Sequence, residues 1–175
     1  GRLVVDRPPM LQSHRGTHPD LIVRWNAAAT SAPAALDVVL HFHGYSSNKH
    51  NMRLADKERI SGLDFTDPDR PAVAGRTTPT LGVLPRGSNN ANQGGNGYDF
   101  HALAKPGAIA ALIDDAESRF RAATGVSAPR GRLILTAHSR GGQALMNALT
   151  QVDPDEVHVF DALYRVYRAN DAVRR

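Results

Sequence analysis

The chain has 175 residues, of which 21 are Lys or Arg and 17 are Asp or Glu, so its formal net charge is +4 at pH 7. That length suffices for one domain with a hydrophobic core, and the lack of cysteine excludes disulfides, a thiol nucleophile and cysteine-bound metal. No run of eighteen apolar residues occurs, and the arginines are scattered rather than gathered with aromatic residues in one stripe, so we expect neither a transmembrane span nor a nucleic-acid partner.

The N-terminal third of the chain predicts three strands. A short apolar run at Leu3–Asp6 is followed by Arg7–Pro19, which is rich in proline and glycine and predicts a loop. Leu21–Trp25 and Leu36–Phe42 predict strands, and the nearly continuous apolar character of the second is typical of a strand covered on both faces. The apolar residues of His50–Ile60 recur at helical spacing and predict an amphipathic helix.

Strands and helices then alternate. After a long irregular link, Thr80–Pro85 predicts a strand. Arg86–Tyr98 is dense in Gly and Asn and cannot fill a core, so we expect it at the surface, either as a rim near the site or as a plain loop. Gly107–Arg121 carries a regular apolar stripe and predicts a helix.

A serine lies where a predicted strand gives way to a predicted helix. Leu133–Thr136 is apolar and predicts a buried strand, and Gln143–Gln151 predicts a helix. Between them lies Ser139, with the small residues Ala137 and Gly141 two positions away on either side. Small residues let the chain pass itself in a tight turn, which would hold the hydroxyl out over the sheet edge near a helix N-terminus.

This arrangement resembles the Gly-x-Ser-x-Gly nucleophile elbow of the α/β-hydrolase family, with Ala137 at the first glycine. The alternative is a serine that caps an ordinary helix. The resemblance implies that Ser139 is the nucleophile of an esterase-like or lipase-like serine hydrolase, and that the backbone N–H of Arg140 is one donor of its oxyanion hole. Hydrolases of this fold also carry a His-Gly-x segment after the third strand. Here that segment follows Phe42 and implies the N–H of Tyr45 as the second donor.

An acidic residue follows the next predicted strand. Val157–Phe160 predicts a strand, and Asp161 comes directly after it. This is one of two places where the family puts the carboxylate that orients its histidine, so the resemblance implies that role for Asp161. The alternative is that Asp161 caps the turn or helix expected over Ala162–Tyr167.

The chain departs from the family pattern at the histidine base. In the family it comes after the acid, but no histidine follows Asp161. Either the chain is a fragment that lacks the final strands and the histidine, or a histidine from elsewhere serves, with His43 and His101 as weak candidates. A third alternative is a catalytically impaired domain that only binds its ligand. We discount His138, which the family turns away from the serine hydroxyl, and His158, which we expect to be buried and hydrogen-bonded within its strand.

Two further histidines suggest a metal. His41 and His43 are two positions apart on a strand, so their side chains share one face, a spacing that suits a metal ligand pair. A structural pair is the alternative, and a metal-dependent hydrolase is the less favoured function. We expect no metal and no other cofactor.

The order of the elements predicts the fold class. A single domain over residues 1–175 is expected, α/β in class, with a three-layer, doubly wound and mostly parallel sheet of about six strands and helices on both faces. Ligands of such sheets bind at the carboxyl ends of the strands, where Tyr45, Ser139 and Asp161 all lie. The expected activity is cleavage of a small-molecule ester through an acyl-enzyme. The sequence begins at Gly1 without a recognisable signal, which fits a cytoplasmic protein or a secreted one after signal removal.

Overall fold

The computed structural model of the chain describes residues 1–14, 18–44, 53–61, 76–89 and 98–162. Within these ranges no helix is both long and apolar enough to cross a membrane. The strands and helices, numbered in chain order, are β1 Arg2–Val5, β2 Leu21–Trp25, β3 Leu36–Phe42, α1 Leu54–Ser61, β4 Thr80–Pro85, β5 Ser88–Asn89, β6 Tyr98–Asp99, α2 Ala108–Thr124, β7 Arg130–His138, α3 Gly141–Ala148 and β8 Glu156–Phe160. Three 3-10 turns lie at Pro9–Leu11, Ala27–Thr30 and His101–Ala104.

The main sheet has six strands in the order β1-β2-β4-β3-β7-β8. β4, β3, β7 and β8 are parallel to one another, whereas β2 runs antiparallel to both β1 and β4. The α/β class is therefore confirmed, but the expectation of a mostly parallel sheet was wrong, because the sheet is mixed. All five residues of β2 are buried, Arg24 among them, and a strand covered on both faces has the same nearly continuous apolar pattern whichever way it runs.

Helices cover both faces of this sheet. Successive residues of β3 alternate between two clusters: Val38 and Leu40 lie in the larger one, and Val39 lies in the smaller one with Leu54 of α1. The larger cluster contains the apolar stripe of α2 and the buried side of α3. The α2 residues in that stripe are Ile109, Leu112, Ile113, Ala116 and Phe120.

Several elements match the sequence prediction, and others differ in extent. β2, β3 and β4 have the predicted bounds, and α2 extends to Thr124, where Gly125 ends it with a left-handed φ of +72°. β7 is longer than predicted, and α3 begins and ends earlier. The Gly- and Asn-rich segment contributes the short ribbon of β5 and β6, which the sequence did not predict. The first part of the helix predicted over His50–Ile60 and most of the Ala162–Tyr167 segment lie outside the described residues.

The strand order places a topological switch point, the position at which ligand crevices form in such sheets, at one end of the sheet. From β3 the chain passes through α1 to β4 on one side, and then through α2 to β7 on the other side of β3. β3 and β7 are therefore neighbours whose connections leave in opposite directions. Ligands of open α/β sheets bind at the carboxyl ends of such a strand pair. Gly44 and Ser139 follow those two ends.

Candidate active site

Ser139 occupies a strained turn between β7 and α3. Its φ is +51°, a left-handed value that residues with a Cβ rarely adopt outside special turns. The turn is held from both sides, because the Ser139 N–H donates to the Phe160 carbonyl at 3.1 Å and the Gly142 N–H donates to the Ser139 carbonyl at 3.0 Å. The residue is partly exposed. Arg140 follows in a right-handed conformation as the N-cap of α3, with an exposed side chain.

Two glycines let α3 approach the ends of its neighbouring strands. A Cβ at Gly141 would collide with the carbonyl oxygen of Phe42, and a Cβ at Gly142 would collide with that of Ala162. The first turn of α3 therefore lies directly against the ends of β3 and β8. The elbow pattern requires a small residue at Gly141, but the packing role of Gly142 was not predicted from the sequence.

Gly44 lies against the serine. A Cβ built on Gly44 would be 2.9 Å from the Ser139 Cβ and 2.8 Å from the Nδ1 atom of His138. The segment after β3 and the turn after β7 are thus in contact at the carboxyl end of the sheet. Tyr45, the residue predicted to supply the second oxyanion donor, lies outside the described residues.

Two buried side chains hold the Gly44 carbonyl. The Nζ atom of Lys57, on α1, donates to it at 2.8 Å, and Nδ1 of His43 donates to it at 2.9 Å. Burial lowers the pKa of Lys57, and burial lowers the pKa of His43 to about 3, so the imidazole is neutral at pH 7. These two bonds hold the Gly44 carbonyl in place. Lys57 could not be picked out from the sequence, since nothing in a helix pattern marks one lysine as buried.

Asp161 lies beside Ser139 at the end of the next strand. The register of β7 and β8 pairs His138 with Phe160, so the residues that follow each of them are neighbours. Asp161 is exposed and has a left-handed φ of +44°. Its role as the orienting acid stays a prediction.

The two substitute bases that the sequence offered make contacts with other groups. His43 is fully buried and donates to Gly44, as described above. His101 is partly exposed, with its Nδ1 atom 3.0 Å from Oδ1 of Asp99 and its Nε2 atom 3.3 Å from the Ser13 hydroxyl. The 3-10 turn that His101 begins packs against α3.

The two discounted histidines are both exposed. His138 has its Nδ1 atom beside Gly44. His158 was predicted to be buried, which was wrong: it is exposed on β8, although it is hydrogen-bonded, with Nε2 3.0 Å from Glu156 Oε2. β8 lies at the edge of the sheet, so its residues are less covered than the apolar pattern of Val157–Phe160 suggests.

No protein-family model matches the chain, and no curated protein does. The geometry around Gly44, Ser139 and Asp161 is therefore what indicates a function.

His41, in β3, and His43, which follows the end of that strand, both have protein partners. Nδ1 of His41 lies 2.7 Å from the Thr136 hydroxyl, and burial lowers the pKa of His41 to about 4. The described ranges contain no group of three or more His, Cys, Asp or Glu side chains placed to hold a metal ion. Zinc sites in proteins take at least three protein ligands, so His41 and His43 need a further ligand before they could form one.

Proposed function

We propose that the chain is a serine hydrolase of the α/β-hydrolase type that cleaves carboxylic esters through an acyl-enzyme on Ser139. The observation that carries this proposal is the left-handed backbone of Ser139 at a strand-to-helix turn, with Gly44 in contact with it. A left-handed φ costs a residue with a Cβ about 1–2 kcal/mol, and such strain persists where function or packing demands it. A serine that merely caps a helix has ordinary extended angles instead.

The position of Ser139 in the sheet supports the same function. Ser139 follows one strand of the pair at which the chain connections diverge, and Gly44 follows the other. A doubly wound arrangement of this kind leaves a crevice between the two loops. The backbone of Gly44 is in contact with the side chains of His138 and Ser139, so glycine at position 44 leaves the serine in place and puts no side chain in the way of an ester.

The proposed chemistry uses main-chain donors. The Ser139 oxygen attacks the ester carbonyl carbon, its proton passes to a general base, and the bond to the leaving alcohol breaks. The Arg140 N–H at the start of α3 and the N–H of Tyr45 stabilise the developing oxyanion, and Asp161 orients the base. Water then releases the acid from Ser139.

A specific observation favours the alternative of a catalytically impaired binding domain. His43 and His101, the two bases weighed from the sequence, bond to Gly44 and to Ser13 respectively. A serine without a base has nowhere to send its hydroxyl proton. On this alternative, Ser139 lines a crevice that binds an acyl ligand without cleaving it.

A labelling experiment separates the two. The protein is treated with a fluorophosphonate probe and assayed with p-nitrophenyl butyrate, alongside Ser139→Ala and the control Ser118→Ala, which changes an exposed serine of α2. We expect the probe on the tryptic peptide of residues 133–140, whose only serine is Ser139. We expect turnover of p-nitrophenyl butyrate to fall at least about a thousandfold in Ser139→Ala and to stay unchanged in Ser118→Ala. No label on that peptide, or equal turnover in wild type and Ser139→Ala, would reject the hydrolase.

A further inference from the structure

A serine, a histidine and an aspartate form a second hydrogen-bonded group, which contains neither Ser139 nor Asp161. The Ser13 hydroxyl lies 3.3 Å from Nε2 of His101, and Nδ1 of His101 lies 3.0 Å from Oδ1 of Asp99. The backbone N–H of His101 donates to the same carboxylate oxygen at 3.2 Å. All three side chains are at least partly exposed. A nucleophile within reach of a base that is itself oriented by a carboxylate is the common signature of an activated hydroxyl.

Two packed 3-10 turns bring these residues together. Ser13 follows the turn at Pro9–Leu11, and His101 begins the turn at His101–Ala104, which packs against it. Asp99 is the last residue of β6, which pairs with β5. The serine and the histidine are 88 positions apart in the sequence, so the arrangement depends on tertiary packing.

A second histidine fixes the position of the first. The ring centroids of His14 and His101 are 4.7 Å apart. Nδ1 of His14 donates to the Arg86 carbonyl at 2.7 Å, and its Nε2 accepts the Ala102 N–H at 3.1 Å, so both of its nitrogens are used. Burial lowers the pKa of His14 to about 4, which keeps this ring neutral at pH 7. His101 therefore packs against a neighbouring ring that is held in place and uncharged.

We propose that Ser13 is a second reactive hydroxyl, activated by His101 and Asp99, that accepts an acyl or phosphonyl group from an activated ester. With Nδ1–H directed at Asp99, Nε2 presents its lone pair to the Ser13 proton. The Ser13 oxygen forms a bond to the carbonyl carbon, its proton moves to Nε2, and the bond to the leaving alcohol breaks. That alcohol takes the proton from Nε2, which leaves acylated Ser13 and neutral His101. The site shares no residue with the proposed Ser139 machinery.

The peptide map distinguishes the two serines. Trypsin releases residues 3–15 and residues 133–140 as separate peptides, and Ser13 and Ser139 are their only serines. We expect a fluorophosphonate probe to modify the peptide of residues 3–15, and Ser13→Ala to remove that modification. Failure of either proposal is therefore visible without affecting the other.

The variants test the role of His101. We expect labelling of residues 3–15 to slow about a hundredfold in His101→Gln and at least about tenfold in Asp99→Asn. The matched control is His158→Gln, which removes an exposed histidine that also bonds a carboxylate, and it should leave the rate unchanged. No label on residues 3–15 in the wild type, or equal rates in wild type and His101→Gln, would overturn the proposal.

A thiol at the same position gives a second measurement. Since the chain contains no cysteine, Ser13→Cys introduces a single thiol whose alkylation by iodoacetamide can be timed. A neighbouring imidazole that takes the proton raises thiolate reactivity. We expect Ser13→Cys to react at least about tenfold faster than Ser127→Cys, a thiol at an exposed loop position, and to lose that advantage when combined with His101→Gln. Equal rates for the two thiols would contradict an activated position.

Discussion

Ser139 keeps a strained backbone because contacts with neighbouring strand ends hold its turn in place. Its own N–H is held by the last carbonyl of β8, and the two glycines that follow it lie against the ends of β3 and β8. This local part of the site is what the sequence could predict, since the small residues around Ser139 and the strand and helix on either side are neighbours in the chain. The contacts of Lys57 with Gly44 and of Ser13 with His101 join different elements, and no local pattern encodes them.

The contact between Gly44 and Ser139 predicts a loss of reactivity on adding one methyl group. In Gly44→Ala the new Cβ would be 2.9 Å from the Ser139 Cβ, so the serine or the loop must shift. A displacement of about 1 Å in a reacting group costs about a hundredfold in rate. We expect fluorophosphonate labelling of residues 133–140 to slow by about that factor.

The control for this change is Gly107→Ala. Nothing lies within 4 Å of a Cβ there, but φ is +77°, so we expect a loss of about 1 kcal/mol in unfolding free energy and an unchanged labelling rate. If Gly44→Ala is labelled within twofold of the wild-type rate, the contact does not control the nucleophile.

At the scale of elements, the sequence predicted the positions of strands better than their partners. The apolar runs of β2, β3 and β4 have the same bounds in the sequence and in the structure, because each strand is buried along its length. The antiparallel direction of β2 was not predictable, since burial on both faces produces the same pattern in either direction. The ribbon of β5 and β6 was missed because two-residue strands have no periodicity to detect.

The link between α1 and the crevice gives an element-scale prediction. α1 covers the opposite face of the sheet from α3, yet Lys57 reaches the Gly44 carbonyl from it. Lys57→Met removes that donor and leaves the bond from His43 to the Gly44 carbonyl. We expect kcat for p-nitrophenyl butyrate to fall about tenfold with KM little changed, and the unfolding free energy to fall by about 1–3 kcal/mol.

Arg59→Met is the matched control. Arg59 lies on the same helix and carries the same charge, but it is exposed. This variant should retain the wild-type kcat and stability. An equal effect of both variants would show that the charge of α1, rather than the bond to Gly44, is what matters.

At the scale of the whole molecule, the core encloses neutral imidazoles. His14, His41 and His43 are all buried, and burial lowers their pKa values from the usual 6.5 to about 4, about 4 and about 3. Each bonds to a protein oxygen through Nδ1, so each is an integral part of the packing. Protonation would place three positive charges in the interior of a chain whose net charge is already +4.

These shifts predict a steep loss of stability in mild acid. Between about pH 6.5 and pH 4 the unfolded chain binds protons at these histidines and the folded chain does not, so the unfolding free energy falls as the pH falls. Each histidine contributes about 1.4 kcal/mol per pH unit in that window, and its full contribution is present only above pH 6.5. Burial alone would raise the pKa values of Asp20 and Asp37, but bonds to Arg86 and Arg132 outweigh it and lower both, so their contribution to stability is lost only below about pH 3.8.

Urea unfolding at pH steps from 7.5 to 4.5 measures this loss. In His41→Gln one of the three protons is no longer taken up on unfolding, so the slope of unfolding free energy against pH should fall by about a third, whatever the starting stability. His158→Gln removes an exposed histidine and should keep the steep slope. An unfolding free energy that stays flat between pH 6.5 and 4.5 in the wild type would mean that the three imidazoles accept protons in the folded state. The packing described around Gly44 and His101 could not then be the arrangement present in solution.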